Sequence, residues 1–161
     1  MSGGSGGIDR ATAQWYVETA LVRLLAKADE LVEAGGDELL GRQPDLEGAN
    51  SVFALTTHCC GVMEHWGGEV IAGREINRDR ASEFTATGTI AQLEERVVAQ
   101  LRRWQADLAD FDAGEVPRGP VERYEGEPEV ITQGFVVLHV IEELFQHLGH
   151  VDITVDLLLG R

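Results

Sequence analysis

Residues 139–152 read HVIEELFQHLGHVD, and an α-helix over this stretch gathers its chemistry on one side. At about 100° per residue, with His139 at zero, Glu143 falls at about 40°, His147 at about 80° and His150 at about 20°. Three imidazoles and a carboxylate thus share a stripe, while Val140, Leu144, Leu148 and Val151 point in neighbouring directions. Such a stripe is odd on a surface helix and expensive on a core one, where polar groups lose their water. A bound cation accounts for it, because neutral imidazole and carboxylate are ligands that zinc, nickel and iron accept. Spacing alone also allows a plain i,i+4 ion pair between Glu143 and His147 on a solvated face.

One helix supplies two ligands at i and i+4, and a second helix must supply at least a third. The two remaining histidines, His58 and His65, lie in ALTTHCCGVMEHW. Their separation of seven puts them within about 20° of a common face. Two such stripes facing each other inside a helical bundle would form a three-ligand site with an open position, the geometry of catalytic rather than structural zinc. Cys59 and Cys60 point about 100° and 200° away from His58, so at most one approaches the site. Being adjacent, they form no disulfide framework, and they read as small core residues.

The elements that must position these residues follow from periodicity. A first helix is expected over 9–34, capped by Asp9, with Trp15, Val17, Leu21, Leu24, Leu25, Ala28 and Leu31 recurring at threes and fours, and stopped by Gly35 and Gly36. A polar connection over 37–47 leads to a second helix, capped by Asn50 or Ser51 and running to Ile71, with Gly73 as terminator. Residues 74–88 are charged and poorly periodic and read as a long loop. Thr89 and Gln92 offer a capping box for a third helix to about Phe111. The stretch 112–128 holds three Pro and three Gly and reads as irregular. The fourth helix is expected over 129–159. The fold class is therefore all-α, a four-helix bundle with long inter-helix loops.

Composition fits one domain over 8–161 behind a flexible glycine-rich tail at 1–7. The 161 residues are 43% hydrophobic, enough for a core. A formal net charge of −15 argues against nucleic-acid and anionic-membrane partners. No apolar run is long enough to span a membrane, and the start lacks the pattern of a secretory signal. With no disulfide framework, the expected compartment is a reducing cytoplasm.

With those elements in place, the residues resemble a known family. A His in the second helix, followed much later by HVIEELFQHLGHVD, is similar to the DinB/YfiT-like superfamily of metal-binding four-helix bundles. It looks in particular like the actinobacterial branch whose last helix carries H-x-x-E-E-x-x-x-H-x-G-H-x-D. The likeness is strong over about 50–66 and 135–158 and architectural elsewhere. It implies His58, Glu143 and His147 as the metal ligands, with Glu143 standing where many superfamily members carry a first His. That branch includes mycothiol-dependent S-transferases and a maleylpyruvate isomerase, so the resemblance implies mycothiol as co-substrate, a detoxifying conjugation and a homodimer. His139, Glu142 and His150 are then candidates to assist the chemistry, and His65 and Trp66 to line the co-substrate site.

The chemistry expected of such a centre is activation of a low-molecular-weight thiol. A cation, zinc by preference with nickel or iron as alternatives, lowers the thiol pKa and gives a bound thiolate that attacks an electrophilic carbon. The same thiolate, adding reversibly, would serve an isomerase. Metal-assisted hydrolysis with Glu142 or His139 as base is an alternative. So is a non-catalytic bundle that stores or senses metal, or whose polar stripe is a dimer seam.

Overall fold

The computed structural model describes residues 7–122 and 126–161. Residues 1–6 of the expected tail lie outside them. Local capping chemistry sets where the helices begin. Asp9 is extended and its carboxylate accepts the Thr12 amide at 2.7 Å, which starts α1 (Arg10–Gly35). A four-residue helix α2 (Asp37–Leu40) follows within the expected polar connection. Ser51 Oγ accepts the Ala54 amide at 3.1 Å and opens α3 (Val52–Met63). Asp79 caps the short α4 (Arg80–Glu83), and the Thr89–Gln92 capping box forms in full at the start of α5 (Ile90–Asp107). Thr132 caps α6 (Gln133–Leu159) through the Phe135 amide.

The four long helices close a bundle in which α1 and α3 lie on a diagonal, each packed between α5 and α6. The seam of α6 consists of Val137, Val140, Leu144, Leu148, Val151 and Val155, all buried. Glu143, His147 and His150 each precede a seam residue by one position, so their stripe lies about 100° from the seam, at the edge of the core. Half-burial of that edge explains how polar groups coexist with a fully apolar core face. Trp104 is wholly buried, but Trp15 is 59% exposed on α1 rather than part of the core.

Three sequence expectations need correction. Helix α6 starts at Gln133 and not near 129, because Thr132 is the residue whose hydroxyl reaches a first-turn amide, while the Gln133 amide is tied back to the Glu115 carbonyl at 2.8 Å. The stretch 74–88 is not loop throughout: it carries α4, too short to show a period. The second long helix does reach Ile71, but from Glu64 to Ile71 it widens into a π-helix. Within it Gly67 and Gly68 leave room for the Trp104 ring and the Arg74 guanidinium, which a Cβ at either position would overlap. Just past the π-helix, the Arg74 guanidinium locks its end to α5. Its Nε and Nη2 donate to the two Asp107 carboxylate oxygens at 2.7 and 3.0 Å, and its Nη1 donates to Glu64 at 3.1 Å.

Among the described residues there is no strand, and no helix is long and apolar enough to cross a membrane. The connection into α6 is irregular as expected, yet it is docked. The Gly119 amide donates to the Val70 carbonyl at 2.9 Å, and the Arg118 amide donates to that of Ile71 at 3.2 Å. A side chain at position 119 would overlap the Glu69 carbonyl oxygen, a backbone atom with no freedom to move aside. Gly119→Ala is therefore expected to lift this connection off the bundle, lower unfolding free energy by about 1–3 kcal/mol and speed hydrogen exchange at amides 118 and 119. Unchanged stability and protection would show that the close approach constrains nothing.

Candidate metal centre

His58 sits in the middle of α3 and is 3% exposed. At that depth each ring nitrogen needs a partner. Nδ1 lies 2.7 Å from Glu83 Oε2. An ionised carboxylate only accepts, so Nδ1 carries the hydrogen and the lone pair of Nε2 is free on the opposite side of the ring. Glu83 is itself buried and is gripped by a guanidinium fork: Arg78 Nε donates to Oε1 at 2.7 Å and Nη2 to Oε2 at 3.0 Å. Burial pushes the Glu83 carboxyl upward, but the hydrogen bonds from His58 and Arg78 outweigh it and hold the group below its ordinary value of 4.5. Glu83 comes this close because position 61 is glycine, since a Cβ there would overlap its carboxylate. The Phe84 ring lies against the imidazole, 4.6 Å between centroids.

From α6, His147 meets His58 edge to face with centroids 4.7 Å apart. Its Nδ1 shares a 3.3 Å hydrogen bond with Nδ1 of His150, and its Nε2 lies 3.5 Å from Glu143 Oε2. Burial lowers the His147 pKa below its ordinary 6.5, and the neighbouring His58 ring adds to the effect, which favours the neutral ring that metals bind. One donor atom from each of His58, Glu143 and His147 lies within 4.8 Å of the others. Donors about 2.0–2.1 Å from a tetrahedral zinc stand about 3.4 Å apart. The Glu143–His147 pair already has about that spacing, and the other pairs, within 4.8 Å, need to close by at most about 1.4 Å. Two imidazoles and one carboxylate fit a divalent cation and leave a fourth position open. Side-chain exposure rises from His58 to His147 (14%) and Glu143 (27%), so the trio opens outward along α6.

The other expected site residues fall elsewhere. His65 Nδ1 pairs with Glu69 at 2.7 Å, and its ring abuts Trp66. Trp66 in turn meets His139 at 4.8 Å and lines a small cavity with Ile131 and Phe135. These three residues make a separate aromatic cluster: His65 is seven residues from His58 and His139 eight from His147, so the cluster sits about two turns, roughly 10 Å, further along the same pair of helices. Glu142 is 76% exposed and faces His139 at 3.9 Å, pairing with no arginine among the described residues and standing outside the trio. His150 is exposed and touches the centre only through His147. Cys59 and Cys60 are buried, and burial raises both thiols, Cys60 to about 12.

Sequence reasoning missed Glu83, Arg78 and Phe84. They come from a stretch without periodicity, and nothing local ties residue 83 to residue 58. The one available signal was chemical: a buried ligating imidazole needs an acceptor for its second nitrogen. A cavity of about 660 Å³ lies between α3, α5 and residues 76–87. Glu83 and Arg78 form part of its wall, but none of the trio does.

Comparison with known proteins agrees with this architecture. A family model described as the DinB superfamily matches residues 20–151, a span that contains all three converging residues. No curated protein matches the chain. If the trio takes a cation, zinc at about 100 times its Kd should add about 2.7 kcal/mol to the unfolding free energy of the parent. His147→Ala should abolish that gain, and equal stabilisation of both proteins would remove His147 from the ligand set.

Proposed function

This chain belongs to the DinB superfamily, which is metal-binding, and we propose that it is a zinc-dependent thiol S-transferase using mycothiol as co-substrate. The observation that carries this reading is the convergence of His58, Glu143 and His147. Both imidazoles have Nδ1 engaged, Nε2 of His147 faces Glu143 Oε2 at 3.5 Å, and one side of the centre opens to solvent. When bound, a divalent cation supplies acidification of a thiol docked beside it.

The chain's own residues do the positioning. His58, sealed at the back, fixes where the thiol must come to rest, while Glu143 and His147 border the approach. Glu143 contributes the one anionic donor and so limits the net positive charge of the site. His150, exposed and bonded to His147, is placed to pass the thiol proton to solvent. A carbon–sulfur bond then forms at the electrophile, whose leaving group or double bond takes the displaced electron pair. The sulfur has to be brought in, because Cys59 and Cys60 are buried and cannot meet a substrate.

Hydrolysis has weaker support, since Glu142, the carboxylate it would use as base, points to solvent beside His139. A dimer seam has weaker support too, because the polar stripe meets its partner His58 inside one chain.

The test is conjugation of mycothiol to a small electrophile such as an activated alkyl halide, followed by mass spectrometry. Zinc-loaded parent should form the conjugate. Chelation should stop it, and His58→Ala should slow it by about 100-fold or more. Conjugation that survives chelation, or a zinc-loaded protein that consumes no thiol, would contradict the assignment.

A further inference from the structure

We propose that Glu83 is a positioning residue for His58, and that Arg78, Glu83 and His58 form a relay through which α4 sets the metal affinity of the centre. This rests on the trio being a metal site.

Helix α4 is four residues long and has one buried residue, Glu83. Its purchase on α3 therefore comes chiefly from a carboxylate, a group that is costly to bury unless its charge is answered. Here it is answered on both oxygens. Oε1 accepts from Arg78 Nε, and Oε2 is shared by Arg78 Nη2 and His58 Nδ1. Gly61 keeps open the space the carboxylate occupies. Phe84, next in the chain, covers the His58 ring, and the Arg80 guanidinium lies 5.4 Å from the Phe84 ring centroid.

The consequence for His58 is specific. A 180° flip of an imidazole exchanges nitrogen for carbon at each edge, and a tautomer shift moves the hydrogen to the wrong nitrogen. The Glu83 carboxylate opposes both changes, since only Nδ1–H facing it makes the bond. Nε2 is then held toward Glu143 and His147 before any cation arrives. A partner of this kind typically changes metal affinity 10–100-fold. Coupling of this sort is reciprocal, so a cation that favours the same ring orientation should steady α4. The same segment walls the 660 Å³ cavity, so metal occupancy would be felt there as well.

The experiment is chelator-competition titration of zinc into the parent, Glu83→Ala, Glu83→Gln and Arg78→Met. It is paired with the visible spectrum of cobalt-loaded samples, metal-free unfolding midpoints, and hydrogen exchange of residues 76–87 with and without zinc. Expected are a 10–100-fold weaker zinc affinity in Glu83→Ala and a smaller loss in Glu83→Gln, which can still accept from Nδ1–H. Arg78→Met should also weaken binding, the cobalt spectrum should change, and zinc should slow exchange over 76–87 in the parent alone. If Glu83→Ala fails to fold, the isosteric Glu83→Gln carries the test. Parent zinc binding with all folded variants within twofold of it would overturn the relay and leave the trio standing. A parent that binds no zinc would overturn both.

Discussion

The structure depends on how a nearly sealed imidazole is satisfied. His58 lies among Leu55, Cys59 and Val62 in a helix whose residues are almost all buried. Leaving either nitrogen without a partner at that depth would cost about 1–3 kcal/mol. One side is answered by Glu83, which is answered in turn by Arg78. The other side faces His147 and Glu143. Much of the local architecture serves that demand: Gly61 makes room, α4 delivers the carboxylate, and Phe84 covers the ring.

Helix α6 meets the demand from across the bundle without giving up its role in the core. Its seam from Val137 to Val155 supplies apolar contact, and the residue before each of several seam positions supplies chemistry. Burying a seam leucine contributes roughly 1.5–3 kcal/mol, so the scaffold can hold donors whose own desolvation is unfavourable. The bundle thus brings together residues 58 and 147, far apart in sequence, on rigid helices rather than on loops. Rigid placement matters because metal sites tolerate little error in ligand position.

What the sequence disclosed and what it hid divide along a physical line. Caps are local, so Asp9, Ser51 and the Thr89–Gln92 box could be read from a few residues. The stripe of Glu143 and His147 followed from helical period alone; the need for a third donor pointed to His58 or His65, and it was the family resemblance that singled out His58. Glu83 was hidden because its partner lies 25 residues away and its helix is too short to have a period. The separation of the His65–Trp66–His139 cluster from the trio was hidden because helical angle reports a shared face and not the distance along the axis, and residues seven apart lie about 10 Å from one another. The start of α6 was misplaced because the pattern extends past the residue that can cap it.

The most direct measurement is a crystal structure of zinc-loaded protein with anomalous data collected on both sides of the zinc edge. The expected result is one peak about 2.0–2.2 Å from Nε2 of His58, Nε2 of His147 and a carboxylate oxygen of Glu143. A peak between His65 and Glu69, or no peak while the three side chains keep their present arrangement, would contradict it.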